Sequence, residues 1–465
     1  MVTALATGPN RTLQDPKLKE HLHRLRRVDD WRNWLSIART YIFLTVAVAG
    51  PILFDQWRLA QGLSWEWNIP VFLLAVTCIG AGLHQLTALG HEASHHVLLR
   101  NRFWNELVSD WLCMFPVFTT THHYRLQHLA HHQFVNDPER DPNFGQLQVN
   151  GHWIDFPMTS ARFWKEFFAE LMPWNLANYL RATAVYNAMG SDTNAYSKKT
   201  SHKSHRAKTI GVIYLFTLLG VTVDFAVRQH TMLLATVPTG MFIGVILFLA
   251  LAPHDWYHHS RIHAAYSIRP LAIMRTIYFS VAFIAIAWLA YFYGPRVYFY
   301  MGVLWLLPIF TSFAFFMMMR QLVQHSNGDR GWLTNSRVFL VNKFVRDSVL
   351  PYGQDYHVPH HVYASVPHYN LKELHDILME YPEYREEVLV VANAVVPKPG
   401  HEYPTIVEML GPIYAPAARH AAHVDNTVLD GVTVDEREEI MKAARESANK
   451  EKGDQRSDSR FARRA

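Results

Sequence analysis

Ten histidines of this chain fall into three short clusters and one isolated position, and neutral imidazole is a ligand for first-row transition metals. The first cluster is His91, Glu92, His95 and His96, written HEASHH. If a helix continues through it, His91 and His95 lie on one face about 6 Å apart along the axis, from where both rings can converge on one ion. The second is His128, His131 and His132 in HLAHH, preceded by Tyr124 and Arg125 and followed by Asn136, Asp137, Asp141 and Pro142. The third is His357, His360 and His361 in HVPHH, and His325 stands alone with Gln321 four residues before it. Eight to ten neutral imidazoles are too many for one zinc or one facial-triad iron. They suit two first-row ions with four or five ligands each and an open position for oxygen, although spacing alone leaves iron, copper, zinc and nickel open. Two cysteines, Cys78 and Cys113, cannot build a disulfide framework, an iron–sulfur cluster or a four-cysteine zinc site, so nitrogen and oxygen must hold any metal.

Two rival readings use fewer of these residues. His91-Glu92-Ala93-Ser94-His95 fits the HExxH pattern of a zinc metalloprotease with Glu92 as general base, which here means an intramembrane protease, but it leaves the second and third clusters without a role. A metal transporter would line a pathway near the membrane midplane with its polar ligands, and His84 alone lies inside a clearly apolar span. A fourth group, His254, His258, His259 and His263 in PHDWYHHSRIH, mixes with Trp, Tyr and Arg in the manner of a membrane interface and is assigned there.

The elements that must carry these clusters are membrane helices. Of 465 residues, 50% are hydrophobic and 18% charged, and the apolar ones gather in uncharged runs separated by polar, histidine-laden stretches. Ile69 to Gly90, Thr231 to Pro253 and Val297 to Met319 are long enough to cross a bilayer; Thr276 to Gly294 nearly so; Thr40 to Phe54 and Thr209 to Val223 reach that length with their flanks. The expected fold is an all-α integral membrane protein of six spans in three hairpins, with a helical cytoplasmic cap bearing the histidines. Arg11, Lys17, Lys19, Arg24, Arg26, Arg27 and Arg32 precede the first span, and the next loop has only Arg58, so the N-terminus and all clusters are expected on the cytoplasmic side. With no signal-peptide pattern at the start, the first span is the expected insertion signal. The lysines and arginines are dispersed among the inter-span segments and form no nucleic-acid-like patch. Phe103 to Thr121, apolar but broken by Glu106, Asp110 and Pro116, is expected to lie along the interface. The expected partition is a cytoplasmic segment 1–37, a membrane domain 38–380, a cytoplasmic extension 381–423 and a disordered tail 424–465.

HEASHH, then Tyr124-Arg125-x-x-HLAHH with its Asn and Asp-Pro trailer, then YHVPHHVYASVPHYNLKELH from Tyr356 to His375, resembles the membrane-bound fatty acid desaturase and hydroxylase family over roughly residues 69 to 380. The resemblance implies a non-haem diiron centre that uses O2 and two electrons to abstract hydrogen from a fatty acyl chain linked to lipid, coenzyme A or a carrier protein. It also implies iron ligands at His91, at His95 or His96, at His128, His131, His132, His357, His360 and His361, with His325 the isolated one. Desaturation, hydroxylation and oxidative decarboxylation share the first abstraction, and the third cluster and its trailer favour desaturation. The six expected spans exceed the four usual in the family. No GxGxxG after a strand, CxxCH or cysteine set supplies electrons, so an external donor is expected, such as a ferredoxin or a small cytochrome with its reductase, docking near Lys198 to Lys208. A tunnel between spans, with room left by Ala81, Gly82 and Gly90, is expected to hold the chain. The expected setting is a bacterial inner membrane, with surrounding lipid as a further partner.

Overall fold

The computed structural model describes residues 13–150, 155–184, 194–198, 205–396, 403–415 and 442. Six helices are long and apolar enough to cross a membrane: Asp30–Ala60, Trp65–Ser94, Arg206–Val227, Thr231–Leu251, Ile268–Tyr293 and Arg296–His325. They pair through the short links 61–64, 228–230 and 294–295, which gives three hairpins and puts every longer connection at one end of the bundle.

Most helices outrun the apolar stretches that announce them. The first span starts ten residues before Thr40 because the Asp29 carboxylate accepts from the Trp31 and Arg32 amides, a cap that satisfies donors the helix cannot. Its buried Asn33 then donates to the carbonyls of Val97 and Leu98 at 3.1 and 2.8 Å, tying this end of the span to the chain leaving the first histidine cluster. At the opposite end, buried Asp55 gathers Arg58, Asn68 and Tyr300, a polar knot joining the first, second and sixth spans. The second and sixth spans run past their apolar windows to Ser94 and His325, which brings His91 and His325 to the same end.

Spans one, two and six pack closely because small residues let backbones approach. A Cβ on Gly82 would sit 2.5 Å from Leu44 Cδ2, one on Gly80 would strike the Ser312 hydroxyl, and one on Gly90 would strike the Met114 sulfur. Ser312 Oγ in turn donates to the Val76 carbonyl at 2.6 Å. The expectation that Ala81, Gly82 and Gly90 frame a tunnel is therefore corrected: Gly82 and Gly90 are filled by helix and side-chain packing, and Ala81 is buried without lining the site cavity. Spans three, four and five form a second group, cross-linked by Tyr214 with Ser280 at 2.9 Å. The sixth span carries two π-helical turns, Gly302–Leu306 and Ile309–Phe313, a local widening that recurs at functional sites.

A cap of shorter helices covers the end where the histidines meet, notably Thr121–Gln133, Pro142–Asn150, Pro173–Thr183 and His357–Val362. Helix Pro16–Leu25 buries Leu18, Leu22 and Leu25 in the cluster that includes Val358, Leu374 and Leu378. Strand Val338–Leu340 pairs in parallel with Val390–Ala392. Phe103 to Thr121 is not one interfacial helix. It breaks into Arg102–Ser109, a π turn Asp110–Met114 and a 3-10 turn Phe115–Val117, because Glu106 and Asp110 turn inward to buried partners, Arg125 and the Thr121 amide. The tail expected from residue 424 lies outside the described residues apart from Lys442, as do residues 199–204 of the Lys198 to Lys208 cluster.

Candidate metal centre

Two buried groups of imidazoles meet at this end of the bundle. One comprises His91, His95, His128, His132 and His360, the other His131, His325, His357 and His361, and within each group the available nitrogens lie within 4.8 Å of one another. The division follows from helix geometry. His128 and His132 are four apart and share a face, as are His357 and His361, whereas His131 and His360 sit about 100° around their helices and cross to the other group. The dipeptides His131-His132 and His360-His361 thus each feed both groups, which touch where His132 stacks on His361 at 4.1 Å.

The contacts inside each group match a bound ion better than hydrogen bonds. His128 Nε2 lies 2.8 Å from His95 Nε2 and 3.0 Å from His132 Nε2, which lies 3.1 Å from His360 Nε2. In the other group His325 Nε2 lies 3.1 Å from His131 Nε2 and 2.8 Å from His357 Nε2, which lies 3.1 Å from His361 Nε2. A neutral imidazole has one N–H, so such a chain of nitrogens cannot satisfy every contact with a proton. Imidazoles about 2.1 Å from a common ion and at right angles to one another have nitrogens about 3 Å apart, which is the spacing found. Burial holds His95, His128, His132, His357 and His361 well below the usual imidazole range, reinforced by neighbouring rings, and takes His360 down to about 3. Burial thus favours the neutral form of all six, the form able to ligate a metal.

His96 joins neither group. It occupies the left-handed position (φ 59°) that ends the second span, its amide donating to Ala93 O and the Val97 amide to Glu92 O, the paired bonds of a Schellman stop. None of His84, His254, His258, His259 and His263 enters either group: His84 Nδ1 donates to the Ser348 carbonyl at 2.7 Å, and His254 stacks on His259. Glu92 turns away from the cavity and accepts the His368 amide at 2.7 Å.

Several residues that hold the rings carry little signal in sequence. Asp141, noted only as part of a trailer, accepts from His131 Nδ1 at 2.9 Å and also takes the Asn136 amide. The Asn335 carbonyl accepts from His325 Nδ1 at 2.9 Å, and the side-chain amide of Gln354 faces His91 Nδ1 at 3.1 Å. An oxygen acceptor on Nδ1, as at His131 and His325, holds the proton there and leaves Nε2 free to face inward. Arg125, fully buried, donates through Nη1 to both carboxylate oxygens of Glu106 and through Nε and Nη2 to the carbonyls of Ser94 and Ala93, so it clamps the second histidine helix to the end of the second span. Arg125→Met, which leaves the Glu106 carboxylate buried and alone, is expected to cost about 3–5 kcal/mol and to show as a lower melting temperature in detergent. A melting curve superimposable on the parent's would remove the clamp.

A cavity of about 350 Å3 opens on the histidines. His91, His128, His131 and His357 form one wall; the apolar lining includes Met114, Phe118 and Met317, with Ile309, Phe310 and Phe313 supplied by one of the π turns of the sixth span. Phe118, at φ 63° and stacked on Phe279 at 4.8 Å, also borders an apolar groove of about 700 Å3 beside the first, fifth and sixth spans.

Comparison with known proteins agrees with this architecture. The family model described as Fatty acid desaturase matches residues 64–280 and 264–390. A dihydrorhizobitoxine desaturase of Bradyrhizobium elkanii is 34% identical over 110 residues, 23% of this chain and 30% of that protein. The Delta(5) fatty acid desaturase fat-4 of Caenorhabditis elegans is 23% identical over 186 residues, 34% of this chain and 39% of that protein. The chain therefore matches only about a third of the length of these relatives. The family match, by contrast, runs through more than half of the chain, including all three histidine clusters and His325 between them, and by it this integral membrane protein belongs to the fatty acid desaturase family.

Proposed function

We propose that the chain is an O2-dependent desaturase that introduces a double bond into a fatty acyl substrate at two iron ions, one held by His91, His95, His128, His132 and His360 and the other by His131, His325, His357 and His361. The observation that carries this reading is the pair of buried all-imidazole groups, with nitrogens about 3 Å apart, forming one wall of a largely apolar cavity. His96 is left out of the ligand set because it ends its helix. A zinc protease would need Glu92 facing the cavity, whereas its carboxylate takes the His368 amide.

Bound iron would supply the oxidising power: RCH2CH2R + O2 + 2e− + 2H+ gives RCH=CHR + 2H2O, in which the substrate provides two of the four electrons. The protein's own part is positional. Met114, Phe118, Phe313 and Met317 strip water from the substrate and hold C–H bonds against the histidine wall. Asp141 and the Asn335 carbonyl keep Nε2 of His131 and His325 turned to the metal side. The other two electrons come from a separate donor, a ferredoxin or a small cytochrome with its reductase. By the charge bias of the flanking segments, the site and its docking face lie on the cytoplasmic side of a bacterial inner membrane.

Metal analysis of the purified protein is expected to give two irons per chain, and mass spectrometry of lipids from an expressing host a product two mass units lighter than its precursor. Purified protein is expected to turn over repeatedly only after a donor chain is added. One zinc per chain, or sustained turnover without added reductant, would overturn the reading.

A further inference from the structure

Four arginines are buried among the described residues, and three are visibly compensated. Arg58 pairs with Asp55, Arg125 with Glu106, and Arg337 donates to the carbonyls of Val323 and Ser326. Arg320, 9% exposed, shares a hydrogen bond with the Tyr124 side chain but makes no ion pair with any described carboxylate, and its Nε has no hydrogen-bond partner. A buried guanidinium without a counter-charge is expensive, and one near the end of a membrane span marks a functional site more often than a structural one.

Its surroundings say what it faces. Phe313, Met317, Arg320 and Gln324 recur at helical spacing along the sixth span, and all four line the cavity, which therefore passes from apolar to polar along one helix face. Gln127, Asn143, Gln321 and Gln354 are further polar residues of the lining. The described lining holds two arginines, Arg320 and the exposed Arg181, and no acidic residue. Arg320 shares this one cavity with His91, His128, His131 and His357.

We propose that Arg320 is the anchor for a substrate carboxylate, so that this cavity takes a free carboxylic acid whose head group sits inside, beside the histidine wall, in preference to an ester or thioester whose head group stays at the surface. The proposal rests on the metal-site reading above. It deepens that reading by naming the substrate class, a carboxylate with an apolar remainder directed toward Phe313 and Met317. Arg320 then acts in specificity, with Gln324 and Gln354 within the same polar end.

The test uses full-length iron-loaded protein in lipid nanodiscs, with dodecanoate, methyl dodecanoate and dodecanoyl-coenzyme A as probes and calorimetric binding plus iron content as readouts. The parent is expected to bind dodecanoate about tenfold or more tighter than the methyl ester, the margin of a charge-assisted hydrogen bond. Arg320→Gln is expected to abolish that preference while methyl ester binding and iron content stay unchanged, and Arg320→Lys to retain part of it. Undiminished dodecanoate preference in Arg320→Gln, its loss in Arg181→Gln instead, or tighter binding of the thioester than the acid by the parent would overturn the anchor. Absence of iron from the parent would overturn the metal reading separately, since the carboxylate preference is measured by binding and not by turnover.

Discussion

His131→Ala and His360→Ala are each expected to lower turnover about a hundredfold or more and to remove roughly one metal ion per chain, while the protein stays folded in the membrane. Changing residues that merely support metal ligands costs 10- to 100-fold in related chemistry, and removing a ligand itself cannot cost less. The two residues probe different ions, because His131 belongs with His325, His357 and His361, and His360 with His91, His95, His128 and His132. Retained activity need not be invoked to read the result: iron per chain, measured on purified variants, falls from two toward one in each, and the double variant falls toward none. His96→Gly and His254→Ala supply the contrast. Neither residue is in either group, and glycine suits the left-handed position that His96 occupies, so both variants are expected to keep both ions. Full iron content in His131→Ala and His360→Ala, with loss in His96→Gly, would invert the ligand assignment.

Acidification is expected to be the second large effect, and its sign follows from burial. His95, His128, His132, His357 and His361 are held well below the usual imidazole range, and His360 is taken down to about 3, in each case chiefly by desolvation. In the unfolded chain these groups protonate near pH 6.5. Below that pH the unfolded state binds protons that the folded state cannot, so stability is full above about 6.5 and falls as the pH drops toward the folded values. Each such histidine contributes up to about 1.4 kcal/mol per pH unit in that window, and six together weigh heavily against a total stability of about 5–15 kcal/mol. Metal-free protein is therefore expected to melt far lower at pH 5.5 than at pH 7.5, by circular dichroism in detergent after chelation. Added metal moves the transition to lower pH, because protons must then displace the ion first. A melting temperature independent of pH between 7.5 and 5.5 would contradict the buried, neutral state of these rings.

The sequence by itself determined the six spans, their pairing into three hairpins, the membrane setting and the family. Hydropathy is a sum over neighbours in the chain, and the histidine motifs are local strings, so neither needs tertiary information. Only the tertiary structure decided where the helices end, since Asn33, His91 and His325 lie beyond the apolar windows and are paid for by contacts with distant residues. It alone sorted the imidazoles: His128 and His132 come from one helix and His360 from another, and their convergence depends on how those two helices pack against the second span. His95 and His96 are equivalent as letters, yet a helix stop turns one inward and spends the other on ending the helix. The small residues Gly82 and Gly90, read as room for substrate, are filled by Leu44 and Met114, while the cavity opens instead along Phe313, Met317 and Arg320. A glycine's missing side chain and an arginine's missing counter-charge are both defined by what lies across from them, and that is a property of the fold and not of the string.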